Sequence, residues 1–420
     1  MSEILNDPAR PVPESALRRA MPIIDWLARA AQANPGMGTF FSEIGDRIVK
    51  AGVPLARLSI HARTLHPEIR GITAVWRQDR GTTLTPRYYG DERDVTYTNS
   101  PVYWINGGAD GFRRRLERAH VRLDFAILEE LKADGLTDYV ARRLSFSDGN
   151  HNAITWSTDR PGGFGDDDLA FLDSLLPYFA LVFEMRLGHL VTDNLLKTYL
   201  GADAGRRVLR GQVRRGSGQA IEAAILFADI RGFTDLSETL PGPTVIRLLN
   251  EYFEAVIEPV EAYGGEVLKL IGDGVLAIMP VHAGGPRPAC LAALAVAKAA
   301  FANLAEVNQK RARRNDLLIR MGITGHLGSV IYGNIGGTSR LDFTVIGPAV
   351  NLVSRLQTLS RELGRGILVS SSFAHYAGSS VLSLGYHMLR GISAPQEVFG
   401  LSHEDDLYNG GASPAGFESG

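Results

Sequence analysis

The run Ala223–Ala228 is apolar at all six positions and stops at Asp229, within AAILFADIRGFTDLSE. An uninterrupted apolar run of that length, bounded by polar residues, reads as a strand buried on both faces. A carboxylate closing such a strand is costly to bury unpaired, so Asp229 is expected to face solvent, bond backbone donors or hold a cation. A second acid has a similar setting. In GGEVLKLIGDGVLAIMP, the apolar runs Val267–Ile271 and Val275–Met279 flank Gly272-Asp273-Gly274, which predicts a hairpin carrying Asp273 at its tip. Alone, such a triplet is most simply a turn former. Two strand-end carboxylates brought together repel each other, and a divalent ion that keeps waters and takes phosphate oxygens is the ordinary remedy.

Downstream, FTVIGPAVNLVSRL reads as a strand (Phe343–Ile346), a Gly-Pro entry with Pro348 at the first helical position, and a helix that places Asn351 and Arg355 on one face. Between them, Thr244 to Tyr263 has helical spacing with a kink expected at Pro259.

FADIRGFTDLSE, KLIGDG and FTVIGPAVNLVSRLQ, in that order within Ala223 to Leu401, resemble the signature set of the class III nucleotidyl cyclases, the adenylate and guanylate cyclases. The resemblance implies a ferredoxin-like, palm-type catalytic domain. It implies that Asp229 and Asp273, with Ile230 beside them, hold two Mg2+ or Mn2+ ions, and that backbone amides of Ile230–Thr234, Phe233 and Thr234 included, face the substrate phosphates. Asn351 would orient the ribose, and Arg355 would stabilise charge on phosphorus as pyrophosphate leaves. Arg390 in MLRGIS matches a triphosphate-contacting position that is usually Lys.

Lys269 matches the purine-selecting lysine of adenylate cyclases and Thr344 the second selector, a pair that resembles class IIIb. Lysine only donates, which suits adenine N1, and a threonine hydroxyl can accept from the N6 amine. The implied activity is therefore conversion of ATP to cyclic AMP and pyrophosphate by two-metal catalysis. The alternatives are a guanylate cyclase, which typically carries Glu at the position of Lys269, and a catalytically silent, cyclase-like dimeric regulator. A diguanylate cyclase would need GG[DE]EF, and the nearest string is Gly264-Gly265-Glu266-Val267-Leu268. The resemblance also implies a homodimer, with the metal aspartates and Lys269 from one chain and the Asn351–Arg355 helix and Thr344 from the other.

At 420 residues the chain is long enough for two or three domains. The clearest compositional break is GQVRRGSGQ (Gly211–Gln219). Before it, helical spacing is expected over Ala16–Ala31 and Arg113–Leu131, strands over Ala56–Ala62, Ile72–Arg77 and Ala153–Ser157, and a helix from Leu169 to about Leu187. The last strand, the DRPGGFGDDD turn and that helix resemble the C-terminal part of a GAF-type sensor domain over Ala153–Leu187. The expected fold class is α+β: a flexible tail over 1–15, a GAF-like domain over 16–187, a helical linker over 188–219 able to pair with its copy, the cyclase domain over 220–403 and a flexible tail over 404–420. Tyr88, Tyr89, Tyr97, Tyr103 and Trp104 are candidates to line a sensor pocket, although aromatic residues more often fill cores, and the sequence leaves any small-molecule ligand open. Arg311, Arg313 and Arg314 are expected in a solvated loop ahead of a strand over Leu317–Met321. His61, His66 and His151 show no metal-ligand spacing.

Lys+Arg 44 against Asp+Glu 46 leaves a net charge of −2, with no sign excess to attract nucleic acid or acidic lipid. The single cysteine, Cys290, excludes an internal disulfide and suits a reducing compartment. No apolar run reaches the expected length of a membrane span, and MSEILNDPARPVPE lacks a signal-peptide pattern. A cytoplasmic protein is expected, with no nucleic-acid or membrane partner.

Overall fold

Alternating buried positions over residues 57–158 form a six-stranded antiparallel sheet in the order β3-β2-β1-β6-β5-β4. The computed structural model describes residues 13–33, 36–90 and 97–402. The tail expected over 404–420, and most of that over 1–15, lie outside the described residues. The chain divides into two units between Leu195 and Leu196.

In the first unit the strands are β1 (Arg57–Arg63), β2 (Ile69–Arg77), β3 (Gly81–Tyr88), β4 (Gly111–Arg115), β5 (Asp138–Ser145) and β6 (His151–Thr158). The helices are α1 (Glu14–Ala33), α2 (Met37–Lys50), α3 (Pro101–Asn106), α4 (Ala126–Ala133) and α5 (Asp166–Leu200), the last reaching into the second unit's residues. Leu58, Ile60, Trp76, Ile154 and Trp156 share one sheet face and form a core with Ile23, Phe40, Phe41 and Phe179 of the helices. Gly45 lets α2 close on Trp76, since a Cβ there would lie 2.3 Å from its ring.

The helix expected over Arg113–Leu131 is corrected: Gly111–Arg115 is strand, and helix begins only at Ala126. The extended backbone delivers Arg113 to Asp138 on β5 at 2.7 Å, and Asp138 is fully buried and also accepts from the Phe164 amide. That tertiary ion pair outweighs the local helical spacing.

The second unit contains α6 (Ala202–Leu209), β7 (Gly218–Ile230), α7 (Phe233–Thr239), α8 (Gly242–Ala262), β8 (Glu266–Ile271), β9 (Gly274–Pro280), α9 (Pro286–Arg313), β10 (Met321–Gly336), β11 (Leu341–Ile346), α10 (Pro348–Glu362), β12 (Ile367–Ser370), α11 (Ser371–Ala377), β13 (Val381–His387) and β14 (Gln396–Leu401). The sheet runs β13-β14-β12-β10-β7-β9-β8, with β11 paired to β10. Its β10-β7-β9-β8 portion, with helices after β7 and β9, has the β-α-β-β-α-β connectivity of ferredoxin-like units. β7 is buried on both faces, as its apolar run requires. Leu226 and Ala228 pack with Tyr252, Val256, Cys290 and Phe301 on one side, and Ala223 and Ile225 with Val345 and Val353 on the other.

The Gly211–Gln219 break falls inside this unit, between α6 and β7, because Leu200 and Ala204 already pack in its core. Two other expectations change. Arg311 is not in a solvated loop: it is buried in the last turn of α9, pairing with Glu251 at 2.5 Å and bonding the Leu317 carbonyl, while Arg314 joins Glu251 at 2.9 Å. The strand expected over Leu317–Met321 begins only at Met321. Among the described residues α9 alone is long and apolar enough to cross a membrane by length and composition, but Cys290, Ala293, Ala297 and Phe301 bury one side of it in this core.

Candidate active site

β7 carries Asp229 to the end of the sheet, opposite Gly322 of β10, where it is 5% exposed. The β8–β9 hairpin closes through Gly272 and Asp273, pairing Ile271 with Gly274. Gly272 needs its freedom, with φ +63, and a Cβ on Gly274 would lie 2.6 Å from the Phe227 ring. The turn so formed brings Asp273 to the end of β7: the Ile230 amide donates to Asp273 Oδ2 at 3.1 Å. The two aspartates selected from the sequence thus meet, with Ile230 between them.

Burial holds the Asp273 carboxyl above the usual carboxylate range, partly offset by hydrogen bonds from backbone amides. A carboxylate in that condition favours a cation. The neighbouring Asp229 already has one: Arg361, near the end of α10, ion-pairs with its Oδ2. Among the described residues no group of three or more His, Cys, Asp or Glu side chains is placed to cage a metal. The donor set of two carboxylates fits a hard divalent ion that completes its shell with water and phosphate.

The turn leaving β7 is anchored by Arg231, which sequence reading left without a role. Its guanidinium donates to Ser360 Oγ at 2.6 Å and to the Arg365 carbonyl at 2.8 Å. Gly322 makes room for it, since a Cβ there would lie 2.0 Å from Arg231 Nη2. Gly232 follows in the left-handed region, and α7 starts at Phe233, which packs on the core while Thr234 is exposed.

Asn351 is exposed and Arg355 half-buried on α10. The Arg390-Gly391 turn lies against Arg355, because a Cβ on Gly391 would stand 3.4 Å from Arg355 Nη2. Arg355 and Arg390 therefore belong to one neighbourhood, and Arg390 is exposed within it. That neighbourhood is distinct from the aspartates of the same chain. Asn351 precedes Arg361 by ten positions, about 15 Å along the helix, and Arg355 points roughly 120° away from Arg361 around it.

Lys269 stands on β8 and Thr344 on β11, strands that are not hydrogen-bonded neighbours. Lys269 Nζ pairs with Asp342 Oδ2 at 2.6 Å, and Asp342 is two residues before Thr344 on the same face of β11. Within one copy this pair sets β8 against β11 and brings Lys269 near Thr344, although the resemblance divides the two between chains. Asp342 was missed, and its signal was the alternation Asp342, Thr344 along a short strand. Arg361 had no such signal, since it reaches Asp229 across 132 positions.

The family model described as the adenylate and guanylate cyclase catalytic domain matches residues 217–387. The chain is 35% identical over 161 residues to an adenylate cyclase of Anabaena cylindrica, covering 37% of this chain and 31% of that one. It is 33% identical over 155 residues to adenylate cyclase 1 of Rhizobium meliloti, covering 36% and 23%. The chain spans about a third of the length of the first curated relatives it matches. Among solved structures, the adenylyl cyclase CyaB from P. aeruginosa is 26% identical with a TM-score of 0.40, covering 44% of this chain and 95% of that one. The guanylyl cyclase Cya2 is 30% identical with a TM-score of 0.40, covering 44% and 93%. With the three motifs standing on the β7 end, the β8–β9 turn and α10, residues 217–387 belong to the adenylate and guanylate cyclase catalytic domain family.

Proposed function

We propose that the protein is an adenylate cyclase, converting ATP to cyclic AMP and pyrophosphate at sites shared between two copies of the chain. The observation that carries this reading is the Ile230 amide, next in the chain to Asp229, donating to Asp273 Oδ2 at 3.1 Å, away from Asn351 of the same chain. Asp229 and Asp273 would hold Mg2+ or Mn2+, which when bound supplies Lewis acidity to the ribose 3′ hydroxyl and positive charge to the triphosphate. In this reading the Ile230 carbonyl would face the same ion and the backbone amides through Phe233 and Thr234 would face the phosphates.

The second copy supplies the rest. Arg355 donates to the phosphorus-bound oxygens as charge builds on the breaking bond, with Arg390 beside it for the triphosphate. Asn351 orients the ribose. Lys269, released from Asp342, donates to adenine N1, and the Thr344 hydroxyl accepts from N6. A homodimer then has two equivalent sites. The first unit we read as a GAF-like sensor whose signal reaches the catalytic unit through α5 and α6.

Incubating the full chain with Mn2+ and each nucleoside triphosphate tests the reading directly. Cyclic AMP and pyrophosphate in equal amounts from ATP are expected. Cyclic GMP from GTP as the main product would overturn the base assignment, and no turnover would overturn the catalytic one.

A further inference from the structure

The second face of the first unit's sheet is buried yet polar at its centre. Along β1 the inward residues are Arg57, Ser59 and His61, and opposite them stand Thr155 of β6 and Thr73 of β2. Two antiparallel neighbours would ordinarily fill such positions with apolar residues. Here they line a cavity of about 420 Å³, within the range of small-molecule sites.

Arg57 is only 8% exposed. Its bonds to protein both leave from Nη1, to Ser59 Oγ and Thr155 Oγ1, each at 3.4 Å. Among the described residues no carboxylate pairs with it; nearby Asp134 is taken by Arg77. The Nε and Nη2 edge, the side of a guanidinium that grips a carboxylate with two parallel bonds, therefore has no partner among the described residues. The two hydroxyls are bonded to each other at 2.6 Å, and the network runs on through His61 at 3.1 Å to Thr73 at 3.2 Å and Arg87 at 3.3 Å. Burial, with Arg57 and Arg87 nearby, pushes His61 down to about 3, which keeps it neutral and adds no charge of its own. A buried, unpaired cation is a standing cost to the fold unless a ligand anion arrives.

We infer that this cavity binds a small organic carboxylate, held by the Nε–Nη2 edge of Arg57 with its apolar body against Val75, Val102 and Ile127. Two parallel bonds match a planar carboxylate, and those three side chains give the body of the molecule a dry wall. The inference is independent of the catalytic reading, because its test measures binding.

The test is thermal unfolding of the full chain followed by tryptophan fluorescence, which reports on the first unit because Trp26, Trp76, Trp104 and Trp156 all lie within it. The probes are benzoate and hydrocinnamate at millimolar concentration, their neutral amides, and phenyl phosphate. At least one carboxylate is expected to raise the midpoint by about 3–5 °C while its amide leaves it unmoved. Arg57→Met is expected to abolish that shift while leaving the unliganded midpoint equal or higher, the reverse of what a purely structural arginine would show. Arg57→Lys, which keeps the charge and loses the fork, is expected to lose most of the shift and serves if the Met variant fails to fold. No shift with either carboxylate, equal shifts with acid and amide, a response to phenyl phosphate alone, or a full shift in Arg57→Lys would each overturn the inference.

Discussion

Arg361→Met is the most informative single change at the candidate active site. Asp229 is 5% exposed, and its ion-pair partner is Arg361, whose side chain is 53% exposed. Breaking a fully buried pair by removing one partner costs about 3–5 kcal/mol, whereas exposed pairs are worth at most about 1 kcal/mol. With one partner buried and the other half in water, solvent screening places the loss between these, at about 1–2 kcal/mol. At a urea dependence of about 2 kcal/mol per molar, the midpoint should fall by about 0.5–1 M. Mn2+ is expected to reverse the effect, because the ion takes over the charge of the missing guanidinium. At about ten times its dissociation constant it returns about 1.4 kcal/mol. The assay is urea unfolding by far-UV circular dichroism, with EDTA or Mn2+, in wild type, Arg361→Met, Asp229→Asn and the double variant. A deficit of equal size with and without Mn2+ would refute competition between Arg361 and the ion. Additivity of the two single changes would refute the pairing itself.

Mixing Asp229→Ala chains with Arg355→Ala chains should restore part of the activity, because one of the two heterodimer sites is intact; no recovery despite demonstrated subunit exchange would rule out shared sites. His326, held at about 4 by burial, stays neutral in the fold while an unfolded histidine takes its proton near 6.5. The unfolded state then binds more protons, so this contribution to stability is complete above pH 6.5 and is lost as pH falls towards 4. The slope of midpoint against pH should flatten in His326→Gln. Gly45→Ala puts a Cβ 2.3 Å from Trp76 and should destabilise the first unit by about 1–3 kcal/mol, read by tryptophan fluorescence; an unchanged midpoint would show that α2 shifts without cost.

Much of the candidate site was legible because its signals are local. A buried strand, a glycine-bounded turn and a Gly-Pro helix entry each announce themselves within a dozen residues, so Asp229, Asp273, Asn351 and Arg355 stand out as candidates from spacing and motif. What escaped depended on contacts between distant segments. Arg361, Asp342 and Arg231 acquire their roles only when α10, β11 and the loop before β12 are in place. Arg311 was misread as solvated, and the segment opening at Arg113 as helix, for the same reason: the carboxylates that claim these arginines lie 60 and 25 positions away. Arg57 sits in an alternating strand whose polar inward positions resemble an exposed face, and only the fold shows that the face is covered.

Helix α10 leans on its own chain's acidic pair through Arg361 and presents Asn351 at its far end. In the proposed two-fold assembly this makes it a stiff beam with a foot in each reaction chamber. Were an ion held by Asp229 and Asp273 to displace Arg361 at one chamber, the tether at that end of the beam would be released while the other end reached into the neighbouring chamber. Occupancy of one chamber would then be felt at the next, and turnover in the pair should depart from that of two independent halves.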